Sequence, residues 1–189
     1  ELMFAAGRAI GLTANIPRSA NFGTRSKPRV KKLVEASPAE LRRYASAQRS
    51  FGIRSPVFGS ALGKQRLVIE GPEDRGRFWV PAKQYLETDV TKVGEVAAEL
   101  GAKEVRIFTF NSPSGIGSEQ LVQPSIDRTG SVVRFLKEKF GLRSRAEIEV
   151  HLVGDTSPNL LRICQAIPGL GAVWDFGNVS SQGDELVSS

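Results

Sequence analysis

The chain has 189 residues, 40% of them hydrophobic and 24% charged, with a formal net charge of +6, which suits one globular unit with a sizeable core. A single cysteine, Cys164, excludes an internal disulfide framework, and no apolar run approaches the length of a membrane span. The charge is uneven: residues 1–66 hold 13 Lys or Arg against 3 acidic residues, or +10, whereas residues 67–189 hold 13 against 17, or −4. A stretch so basic raises the local concentration of a polyanion and speeds encounter with it.

Residues 2–12 are apolar and rich in Ala and Gly, with Arg8 among them, and lack the basic region, long apolar core and cleavage site of a signal peptide. The chain begins with Glu, so the expectation is a piece of a longer polypeptide. Residues 13–28 are polar, basic and broken by Pro17, Gly23 and Pro28, which reads as an extended arm. The expected layout is a basic arm over 1–36, a compact domain over 37–177 and a polar tail over 178–189.

Ser37-Pro38-Ala39-Glu40 is a helix start: Ser37 as N-cap, Pro38 in the first turn and Glu40 as capping-box partner. A helix over 38–49 then turns Leu41, Tyr44, Ala45 and Gln48 inward and Arg42, Arg43 and Arg49 outward. Residues 66–70 and 77–80 form a hairpin through the turn-rich 71–76. Val93, Val96, Ala97 and Leu100 predict a helix over 90–100, ended by Gly101. A strand over 105–110 follows, then a helix over 126–140 and a strand over 148–153. The two strands are expected to lie parallel through a right-handed crossover. The fold class is therefore α/β, a mixed sheet with flanking helices and a basic, partly irregular N-terminal extension.

In such sheets ligands sit beyond the carboxyl ends of the strands. The loops after these two strands offer Asn111, Ser112 and Ser114 on one side and Asp155 and Thr156 on the other. His151, the single histidine, lies beside them and is the natural general acid or base. Gly115-Ile116-Gly117 lacks the third glycine of a dinucleotide fingerprint, since position 120 is Gln, and no Walker sequence occurs. With one His and one Cys there is no zinc set, so neither cofactor nor metal is expected. The basic third offers Arg25, Lys27, Arg29, Lys31, Lys32, Arg42, Arg43 and Arg49 for phosphates, with Phe22, Tyr44 and Phe51 interleaved for base stacking.

The phrase from Phe108 through Asn111 to Gly115 is similar to the strand and turn after the nucleophile helix of class 3 lipases. The G-x-S-x-G elbow of those enzymes is missing, because Gly59-Ser60-Ala61-Leu62-Gly63 has its serine misplaced. The lead-in Phe4-Ala5-Ala6-Gly7-Arg8-Ala9-Ile10-Gly11, the basic linker and the α/β body together resemble the C-terminal modules of bacterial polymorphic toxins of the Rhs and contact-dependent inhibition types. That resemblance implies a secreted, nucleic-acid-directed effector acting in the target-cell cytoplasm and neutralised by an acidic immunity protein. The deaminase branch is excluded by the absence of its H-x-E and P-C-x-x-C residues. A metal-independent ribonuclease would use His151 as acid or base, Asp155 to orient it, Arg106 or Arg77 on the phosphate, and Ser112 and Thr156 as hydrogen-bond donors. The alternative is a non-catalytic RNA-binding or ribonucleoprotein subunit inside the cell, its arm on the phosphates; a third reading places the arm on an acidic protein.

Overall fold

A computed structural model describes residues 2–24, 26–67, 80–112 and 118–181. Its order begins with α1 (Leu2–Ala9), the short antiparallel pair β1 (Ser19–Asn21) and β2 (Val30–Lys32), and α2 (Pro38–Ser50). The start of α2 is set by the capping box: Ser37 Oγ accepts from the Glu40 N–H at 3.3 Å and Glu40 Oε2 accepts from the Ser37 N–H at 2.9 Å. Leu41, Tyr44, Ala45 and Gln48 form its buried face, as the periodicity requires.

The sheet is built from β3 (Val57–Gly59), β4 (Glu104–Ile107), β5 (Arg143–Glu147) and β6 (Leu170–Val173), in that spatial order and all parallel. Each return is helical. Between β3 and β4 runs α3 (Ala82–Tyr85), which passes through a π-helical turn into α4 (Thr91–Glu99); α5 (Ser118–Phe140) joins β4 to β5, and α6 (Ser157–Ala166) joins β5 to β6. A last helix, α7 (Phe176–Ser181), follows β6. Neighbouring strands that are also successive in sequence, each returned by a helix, make a repeating βα wall. Residues 13–17 extend that wall beyond β3: Arg54 N–H donates to Thr13 O at 3.0 Å, Asn15 N–H to Arg54 O at 2.9 Å, and Gly59 N–H to Pro17 O at 3.0 Å.

The core lies between the sheet and its helices. Val105 and Ile107 of β4, Ala146 of β5, Val93 and Val96 of α4, Val133 and Leu136 of α5 and Ile163 of α6 are all buried in one cluster. Full burial of the Val, Leu and Ile side chains contributes about 1.5–3 kcal/mol each. Phe4 and Leu33 belong to the same cluster, Phe4 packing edge-on against Tyr44 with ring centroids 5.2 Å apart. Residues of the first 36 positions are thus part of the packed body.

The α/β class and the flanking helices agree with the sequence; the strand at 105–110 does have a parallel neighbour after a helical return, but that neighbour is β5 and not 148–153. The hairpin over 66–80 lies largely outside the described residues, with Arg66 forming a parallel bridge to Asn111. Three boundaries move, the first being that of β4, which ends at Ile107 rather than at 110. The strand expected at 148–153 is β5 at Arg143–Glu147, because its charged face, Arg143, Arg145 and Glu147, finds partners on β4 while Ser144 and Ala146 are small enough to face the helices. The helix expected from 126 starts at Ser118, since buried Leu121 and Val122 anchor the turn that precedes Pro124.

Candidate functional site at the carboxyl ends of the strands

On the face of the sheet turned away from the helices, charged side chains form a ladder. Glu104 of β4 takes both Nε and Nη2 of Arg145, at 3.0 and 2.8 Å, and also Arg143 Nη2 at 2.6 Å. The Arg145 hydrogen bonds, with the positive field of both arginines, hold its carboxyl below the usual range. Next along β4, Arg106 Nη1 donates to Glu147 Oε2 at 2.5 Å and Nη2 to Ser60 O at 3.0 Å. The side chains of Arg106 and Glu147 border a cleft of about 440 Å³ together with Ile16, Val57, Gly59 and Ala172.

The last rung stands at the carboxyl ends. Lys64 Nζ donates to Glu149 Oε1 at 2.6 Å and sits 4.3 Å from the Phe108 ring centroid, while the Arg106 guanidinium lies 4.6 Å from the same ring. Two cations this close to one buried aromatic ring gain from its quadrupole. Lys64 is placed there by its loop. Gly63 has φ of +81° and its α-carbon abuts the Phe108 carbonyl so closely that a Cβ would collide with it. Gly63 N–H donates to Tyr85 Oη at 2.9 Å, Tyr85 Oη donates to Gln65 Oε1 at 2.6 Å, and Asn111 Nδ2 donates to Lys64 O at 2.5 Å. Burial keeps the Tyr85 phenol protonated far above its ordinary range.

The loops after β4 and β5 meet, as the crevice reading requires. Asn111 and Leu152 form an antiparallel bridge, Ser112 N–H donates to His151 O at 3.0 Å, Val153 N–H to Phe110 O at 3.0 Å, and Gly154 N–H to Thr109 Oγ1 at 2.8 Å. Ser112 and His151 are therefore neighbours. His151 is an exposed turn residue with φ of 66°, rather than a strand residue. Asp155 and Thr156 lead into α6, with Thr156 as its N-cap in extended conformation. Arg106 stands apart from them on the ladder, bound to Glu147, and Arg77 and Ser114 lie outside the described residues.

Sequence reasoning missed Lys64, Phe108 and Glu149 as a group. The visible signals were Gly63 before Lys64 and Glu149 two residues from His151. Cys164 is half-buried against the core, and burial pushes its thiol up.

Of the cations assigned to phosphate, Arg29 and Lys31 both bind Glu40, at 2.5 and 2.8 Å, Lys32 lies 3.8 Å from Glu35, and Arg49 Nη1 donates to Glu99 O at 3.5 Å. Lys27, Arg42 and Arg43 are exposed, and Arg25 lies outside the described residues.

No family model and no curated protein matches the chain. Solved structures do. The IolI protein with a bound zinc atom aligns at TM-score 0.67 and 16% identity over 97% of this chain and 60% of its own. A xylose isomerase-like TIM barrel protein from Mycobacterium smegmatis in complex with magnesium aligns at TM-score 0.60 and 13% identity over 94% and 56%. D-psicose 3-epimerase in the presence of D-fructose aligns at TM-score 0.60 and 13% identity over 81% and 53%. The fold is that of a wall of parallel βα units from a TIM barrel. The chain spans between about half and three fifths of the length of these proteins.

These likenesses overturn the toxin resemblance. They also correct the ribonuclease and RNA-binding readings, and they lend no support to secretion or to nucleic-acid and immunity-protein partners. The physical reason is in the first third: its Phe4 and Leu33 are buried in the core, and several of its cations already face carboxylates. No described helix is long and apolar enough to cross a membrane. The zinc and magnesium named for two of the similar structures find no matching set among the described residues. Among the described residues no three His, Cys, Asp or Glu side chains converge as metal ligands, and Glu147 and Glu149 face Arg106 and Lys64 instead.

Proposed function

We propose that this chain forms the catalytic wall of a small-molecule enzyme acting on a hydroxylated aldehyde or ketone, with its chemistry at the carboxyl ends of the parallel strands. The observation that carries this reading is the Lys64–Glu149 pair over Phe108, held at the mouth of a βα wall by the 62–65 loop. Glu149 is the base for a proton on the carbon beside the carbonyl, and the Lys64 ammonium stabilises the oxygen on which negative charge develops. Ser112, His151, Asp155 and Thr156, on the rim, supply hydrogen bonds to substrate hydroxyls. Support comes also from the small-molecule enzymes among structures of this fold, D-psicose 3-epimerase being one.

The test is proton exchange. Glycolaldehyde, dihydroxyacetone and D-fructose are incubated with the protein in D2O, and loss of the C–H signal beside the carbonyl is followed by proton NMR. Enzyme-dependent exchange with at least one compound, reduced about 100-fold or more in Glu149→Gln, is expected for loss of a general base. Exchange no faster than in buffer, or unaffected by that substitution, would overturn the reading.

A further inference from the structure

We infer that Lys64 is a covalent catalytic residue that condenses with the substrate carbonyl to form a Schiff base. The inference rests on the small-molecule reading of the same mouth and replaces the ionic role given there to the Lys64 ammonium with a covalent one, Glu149 remaining the base. A lysine of this kind needs a fixed backbone, a base within hydrogen-bond reach, an aromatic or apolar wall and an open side. Lys64 has each. Its backbone is held by Asn111 Nδ2 on its carbonyl and by the Gly63 contact with Tyr85. Glu149 Oε1 stands 2.6 Å from Nζ, Phe108 forms the wall, and the side chain is 31% exposed and so reachable.

The step balances within these groups. Glu149 takes one proton from the Lys64 ammonium, and the Nζ lone pair forms a bond to the carbonyl carbon as the C=O π electrons move to oxygen. The carbinolamine then loses that oxygen as water, using the proton held by Glu149 and a second proton from nitrogen; the nitrogen keeps the third ammonium proton, so the product is the iminium beside a regenerated Glu149 carboxylate. No oxidant or reductant is consumed. The iminium draws electrons from the adjacent C–H bond, whose proton the freed Glu149 carboxylate then accepts. Phe108 faces the cation throughout.

The experiment is reductive trapping on the full chain with glycolaldehyde, dihydroxyacetone and D-fructose, each with sodium cyanoborohydride, read by intact mass and peptide mapping. The expected product is one adduct per chain, equal to the carbonyl compound less one oxygen, at Lys64 at least about 10-fold above any other lysine. Glu149→Gln is expected to slow labelling of Lys64 about 100-fold with its far-UV circular dichroism unchanged, as loss of a proton-transfer group requires. Lys64→Arg, which keeps the cation over Phe108, loses the adduct. Labelling spread over exposed lysines without preference for Lys64 would overturn the inference. If D2O exchange proceeds without a Lys64 adduct, the small-molecule reading stands and the Schiff base is refuted; if neither occurs, both are refuted.

Discussion

Lys64 Nζ and Glu149 Oε1 lie 2.6 Å apart although 85 residues of chain separate them. The pair exists because β4 runs parallel to both β3 and β5, so the loops leaving β3 and β5 emerge at the same end of the sheet. Gly63 then lets the first loop close down on the Phe108 carbonyl.

That pairing has a measurable energy. Both side chains are about a quarter to a third exposed, 31% and 26%, so solvent screens them in part. A double-mutant cycle with Lys64→Met and Glu149→Gln should return a coupling of about 1 kcal/mol by urea denaturation. A coupling indistinguishable from zero would mean that the two side chains do not meet in solution.

Phe4 tests whether the N-terminal residues belong to the body. It is 3% exposed and packs edge-on against Tyr44. Phe4→Ala should cost about 3–5 kcal/mol, the loss for a buried aromatic in a core. A change below about 0.5 kcal/mol, typical of a surface position, would show that α1 is not packed there.

Glu40 links stability to pH. Its carboxyl accepts from Lys31 and from the Ser37 backbone, and these contacts bring its pKa from 4.5 to about 2. The folded value is depressed, so this contribution is present above about pH 4.5 and is lost as pH falls toward 2. Glu104 acts in the same direction through Arg145. Melting temperature followed from pH 6 to pH 2 should fall less steeply in Glu40→Gln than in the parent chain; parallel curves would remove Glu40 from the acid response. Ser37→Ala, which removes the other half of the box, should cost about 1 kcal/mol at neutral pH.

Gly94 marks a close contact between α4 and α5. A Cβ there would run into the Phe140 ring at the end of α5. Gly94→Ala gains helix propensity of about 1 kcal/mol but must displace that ring. A net loss of about 1–2 kcal/mol in the denaturation midpoint is expected, with Phe140→Leu relieving it; a gain in stability would show that α4 and α5 do not approach so closely.

Much of the fold was legible because local patterns and tertiary demands coincide. The Ser37 and Glu40 box, the Val93, Val96, Ala97 and Leu100 stripe and the Val105 and Ile107 alternation each give the same answer at both levels. β5 was not legible. Arg143-Ser144-Arg145-Ala146-Glu147 has no apolar period, and what makes it a strand is the matching charge on Glu104 and Arg106 about 40 residues away. The crevice loops could be placed, but not the Lys64–Glu149 pair, since nothing local joins a lysine after β3 to a glutamate after β5. The charge asymmetry is real, yet it suggested a free arm because composition cannot show that Phe4 and Leu33 are buried or that Arg29 and Lys31 share Glu40.

The most direct test of the site is its location by NMR. The amide spectrum of the 15N-labelled chain is recorded while glycolaldehyde, dihydroxyacetone and D-fructose are titrated in turn. A small-molecule site at the carboxyl ends predicts that shifts for at least one compound cluster on residues 62–65, 108–112 and 149–156, and that Lys64→Met abolishes them. Shifts centred on α2 or the β1–β2 pair, or no shift with any of the three compounds, would contradict it.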